Sequence, residues 1–197
     1  MSKGRTQAEN FMRHLEPLQG ALEAYCRRSL HDPNSVRDVL QSAIANAYRD
    51  FHLYVEGTNF RAWIFRYAHL ETLNSNRKYA RTQHEELPPD VSVEDTWQLA
   101  LDEPLFKVLL DDPDPMLDQC DTALAQAVRE LAPLERAVLL LQAIGEFKYR
   151  EMAEILQVPI GTVMSTLARS RVRLRQRLVQ YREEHSLLRP GEAGGEP

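Results

Sequence analysis

The residues that most restrict the fold surround one short turn, QVPIG, at 157–161. Before it, KYREMAEIL repeats apolar residues at helical spacing; after it, TVMSTLARSRVRLRQRL does the same. Two helices joined by so few residues make a helix-turn-helix, and the second helix of such a unit inserts its N-terminal half into the DNA major groove. At about 100° per residue, Val163, Leu167, Ser170, Leu174, Leu178 and Tyr181 share the side that must pack on preceding helices. The opposite side carries Thr162, Ser165, Ala168 and Arg169, with Arg173 and Gln176 further along. Small residues at its start allow close approach to base edges, and Arg169 offers a bidentate fork to guanine. Arg171, Arg173, Arg175 and Arg177 suit phosphates, which supply affinity rather than sequence. The competing reading is a surface helix with solvated arginines.

The rest of the chain is also helical in pattern. Phe11, Leu15, Leu18, Leu22 and Tyr25 recur every three or four residues across 8–31, with Pro17 bending the segment. Asn34 or Ser35 is the expected cap of a second helix, whose stripe runs from Val36 to Phe51. A third helix is expected from about Phe60 to Tyr79, with Trp63 the aromatic most expected to be buried. Helical periodicity resumes from Asp118, and ERAVLLLQAI reads as a core helix. No strand signal appears. The fold class is therefore all-α: two small helical domains, over 8–81 and 119–182, joined by a linker at 82–118 and followed by a disordered tail at 183–197. The linker holds five prolines, yet its Trp97 and Phe106 suggest a short docked helix.

A net charge of −5 hides segregation. Between Thr82 and Val128 stand twelve acidic residues and one basic, Lys107. Between Phe147 and Arg182 there are eight basic and two acidic, and between Phe60 and Arg81 five basic and one acidic. Two basic blocks thus flank an acidic one. No apolar run approaches eighteen residues, so no membrane insertion is expected, and the polar N-terminus lacks the apolar core of a signal peptide. Cys26 and Cys120 lie far apart, as expected of reduced thiols in a cytoplasmic chain. Cys26 and His31 lack a second pair at ligand spacing, so no metal is expected. Asp38, His52 and Glu56 lack any nucleophile, metal or phosphate-loop pattern beside them, so neither catalysis nor a cofactor is expected.

The stretch from Pro133 to Leu178, with its P-x-G-T-V-x-S core at 159–165 and its EMAEIL, resembles region 4 of bacterial sigma-70 family factors, especially the extracytoplasmic-function group. DVLQSAIANAYRDF resembles region 2.2, with Asp38, Leu40 and Gln41 in the polymerase-contacting pattern. FRAWIFRYAHLETLNSNRK resembles regions 2.3 and 2.4, which recognise and open the promoter −10 element. The resemblance covers about 10–81 and 119–180, and the acidic middle matches the family's variable linker. It implies an RNA polymerase sigma factor whose partners are core polymerase (the β′ clamp and β flap), promoter DNA and an anti-sigma factor. It implies −35 contacts from Lys148, Arg150, Thr162, Met164, Ser165, Ala168, Arg169 and Arg173. It implies −10 contacts from Asn59, Arg61, Arg66, Asn74, Asn76, Arg77 and Lys78, with Asn59 placed to capture a flipped base. Aromatic and basic residues interleave there, as binding of a melted strand requires.

The chain departs from the family in places. Met164 stands where relatives often carry Lys or Arg, offering an apolar contact such as a thymine methyl. His69-Leu70 replaces a common Arg-Asn pair, leaving Asn74 and Asn76 as substitutes. The alternative class is a stand-alone dimeric helix-turn-helix regulator, for which the chain shows no dimerisation helix.

Overall fold

The computed structural model describes the backbone of residues 2–83 and 124–186 and the side chains of 7–82 and 124–180. The expectations for the acidic stretch beyond residue 83 and for the tail beyond 186 lie outside the described residues. Among the described residues the helices with both ends defined are α1 (Ser2–Leu15), α2 (Gln19–Ser29), α3 (Val36–Asp50), α4 (Phe60–Gln83), α5 (Pro133–Ala143), α6 (Tyr149–Leu156) and α7 (Ile160–Ser186). Residues 124–129 are also helical, and no strand occurs among the described residues.

Pro17 acts as expected: α1 stops at Leu15, a 3₁₀ turn spans Glu16–Leu18, and α2 resumes at Gln19. Ser35 is the N-cap residue of α3, as expected, but its side chain makes no capping bond there, and the capping carboxylate sits one turn earlier, at the start of the 3₁₀ turn Pro33–Ser35. Asp32 accepts there from Asn34 N at 3.0 Å and from Ser35 Oγ at 2.7 Å. Its carboxylate serves both donors at once, which lowers its pKa, chiefly through the Ser35 hydroxyl.

The N-terminal core is aromatic. Phe11 meets Tyr48, Phe51 and Phe60 edge-on at ring separations of 5.2, 5.1 and 5.8 Å. Phe65 is fully buried, whereas Trp63 is only partly buried and meets Tyr67 in a T-shaped contact at 4.9 Å. The expectation of a buried Trp63 is thereby corrected: the helix turns Ala62, Ile64 and Phe65 inward instead. The C-terminal core is aliphatic, built from Val138, Leu139 and Leu141 of α5, Met152 and Ile155 of α6, and Val163, Leu167 and Leu174 of α7.

Candidate nucleic-acid interface

The turn before α7 is made by Gln157, whose φ of 57° and ψ of 42° end α6 in the left-handed region. Pro159 then accepts from Thr162 N and Val163 N through its carbonyl, starting α7. Gly161 lies in the first turn of α7, with open space where a Cβ would stand. Ile160 is 48% exposed and Met164 40% exposed, so the corner faces outward. Thr162 and Ser165 are half-buried beside it, and Lys148 and Arg150 are exposed at the start of α6.

Three sequence-based site assignments are corrected. Ala168 is buried, because the inward face of α7 is wider than the wheel implies and takes in Thr166 and Ala168 with Leu167. Arg173 is bound to the core: its Nη1 donates to Glu135 Oε2 at 2.8 Å, and the Glu135 side chain is only 4% exposed. Asn76 fastens the end of α2, accepting from His31 N at 2.9 Å and donating to Ser29 O at 2.8 Å. A carboxamide holding both a donor and an acceptor of the backbone is committed to structure. By contrast, Arg66, Asn74, Arg77 and Lys78 are exposed along α4. Asp38 and Gln41 are exposed on α3, and Leu40 is half-buried between them.

The other arginines of α7 also reach back. Arg171 Nη2 donates to Gln142 Oε1 at 3.1 Å, Arg177 Nε to Glu130 Oε2 at 3.1 Å, and Arg169 Nη2 to Thr166 Oγ1 at 3.2 Å.

The two halves meet at the residues read as −10 contacts. Asn59 caps α4, accepting from Ala62 N at 3.1 Å, and its Nδ2 donates to Glu151 Oε1 at 2.5 Å. Glu151 in turn caps α6 by accepting from Lys148 N at 2.7 Å. One hydrogen bond therefore joins the caps of two helices from opposite halves. Beside it Phe147 packs on Phe65 at 5.0 Å, and the Arg61 guanidinium lies 4.9 Å from the Phe147 ring centroid. Gly145 makes this possible, since a Cβ there would fall 2.3 Å from the Phe147 ring. Deeper in, Tyr25 Oη and His69 Nδ1 are 3.0 Å apart. Burial pushes His69 down to about 4 and Arg136 down to about 10. Sequence reasoning missed Phe147, Glu151 and Ile160. Glu151 alone left a signal, a glutamate three residues after a helix start.

Residues 15–82 match the family described as "Sigma-70 region 2", and residues 121–174 match "Sigma-70, region 4". The chain belongs to the sigma-70 family. Its relatives place it in the extracytoplasmic-function group. It is 28% identical over 155 residues to "ECF RNA polymerase sigma factor SigW" of Bacillus subtilis, spanning 78% of this chain and 80% of that one. It is 25% identical over 165 residues to "RNA polymerase sigma factor YlaC" of the same organism, spanning 83% and 88%. The fold is shared with the sigma factor RpoE of Bartonella quintana, solved in complex with the anti-sigma factor NepR. That likeness has a TM-score of 0.65 at 22% identity and covers 87% of this chain and 98% of that one. As a sigma factor, the chain directs RNA polymerase to promoters at the start of transcription. Among the described residues no helix is long and apolar enough to cross a membrane.

Proposed function

We propose that this sigma factor divides its work by region. Residues 8–81 bind the β′ clamp of core polymerase through Asp38, Leu40 and Gln41. They read the −10 element through Asn59, Arg61, Arg66, Asn74, Arg77 and Lys78. Residues 119–182 engage the β flap and read the −35 element through Lys148, Arg150, Thr162, Met164, Ser165 and Arg169. Residues 82–118 form the acidic tether between them. The chain works in the cytoplasm, has no catalysis of its own, and is held in check by an anti-sigma factor, as the solved relative is partnered by NepR.

The observation that carries this reading is the exposed corner Pro159, Ile160, Gly161 and Met164, presented by a module whose aliphatic core is closed behind it. Reconstitution with core polymerase, followed by mapping of transcription starts, tests it. Initiation at a defined set of promoters is expected. Failure to associate with core polymerase, or starts no different from core polymerase alone, would overturn it. Gln41→Ala should weaken capture of core polymerase while leaving the helical content intact; capture at full strength would remove Gln41 from the interface.

A further inference from the structure

The geometry points to thymine methyl groups as the feature by which α7 reads the −35 element, with Met164 and Ile160 as the specificity-determining residues. This rests on the proposed assignment of α7 to that element. Ile160 and Met164 stand four residues apart on one face of the first two turns, and both are exposed. Gly161 between them carries no side chain to hold the helix off the groove floor. The polar groups nearby are engaged within the module: Ser165 Oγ donates to Thr162 O at 3.2 Å, and Arg169 bonds Thr166. Arg171, Arg173 and Arg177 are bonded to Gln142, Glu135 and Glu130. The most exposed large side chains of the first two turns are therefore the apolar Ile160 and Met164, beside the exposed Lys148 and Arg150 of α6. In the major groove, the C5-methyl of thymine is the apolar group on a base edge.

The test uses full-length protein with core polymerase on promoter fragments recovered by start mapping. Each −35 thymine is replaced in turn by deoxyuridine, which deletes only the methyl. Open-complex formation should fall about fourfold at one or two positions, the value of one buried methyl. Met164→Ala should abolish the difference between thymine and uracil at one of those positions. Indifference to uracil at every position, or an element with no thymine in either strand, would overturn the inference while the assignment of α7 stands. Indifference to every base change in that element would overturn both.

Discussion

Regions 2 and 4 solve the same problem, building a charged outer surface on a small helical core, by different means. Region 2 packs rings: Phe11, Phe51 and Phe60 meet edge to face, Tyr54 meets Phe60 edge-on and stacks on Phe51, and Arg66, Arg77 and Lys78 are exposed along α4. Region 4 packs aliphatic chains and stitches its arginines to earlier residues, through Glu130, Glu135 and Gln142. A cationic stripe in a sequence is thus not one kind of object. In region 2 it is surface; in region 4 much of it also fastens the long α7 to α5.

The contrast can be broken most severely at the cores. Phe11→Ala removes a ring that touches three others and should cost about 3–5 kcal/mol, while Leu139→Ala should cost about 2–5. Urea melts check this; a Phe11→Ala loss below that of an exposed Met12→Ala would end the idea of an aromatic keystone.

Acid should act next, through region 2. The unfolded chain protonates His69 near its ordinary 6.5, whereas the buried ring resists protonation down to about 4. Its folded pKa is lowered, so stability falls as pH drops from about 6.5 toward 4, by up to about 1.4 kcal/mol per unit. His69→Gln should flatten that slope; an unchanged slope would assign the acid sensitivity elsewhere.

The stitching in region 4 is sharpened by Glu135→Ala, which deprives Arg173 of its acceptor. About 2 kcal/mol is expected, reduced by the partial exposure of the Arg173 side chain. Gln176→Ala, at an exposed position of the same helix, should change stability by less than about 0.5 kcal/mol. Equal effects would mean that the pairing with Glu135 contributes nothing.

The smallest effect separates two asparagines of α4. Asn76→Ala should cost about 1–2 kcal/mol, because Ser29 O and His31 N lose their partner. Asn74→Ala, exposed, should leave the melt unmoved and alter −10 usage instead. The reverse pattern in melts and start-site maps would exchange their roles.

What the sequence determined by itself is what depends on neighbours along the chain. The break at Pro17, the α3 stripe, the QVPIG turn and the inward set Val163, Leu167, Ser170 and Leu174 are written in local periodicity. The family motifs occupy the same local stretches, which is why two regions 39 residues apart in their matched ranges were readable separately. Tertiary structure alone decided which polar side chains remain available to a ligand. Asn76 is taken by a helix end 45 residues away and Arg173 by a carboxylate 38 away, whereas Asn59, bonded in this structure to a carboxylate 92 away, can reach a ligand only when that bond opens. Ala168 is buried because α7 is embraced more widely than one stripe predicts. Periodicity reports the direction of a side chain from its own helix axis. What it meets there depends on how the other helices pack, and that is a property of the assembled core.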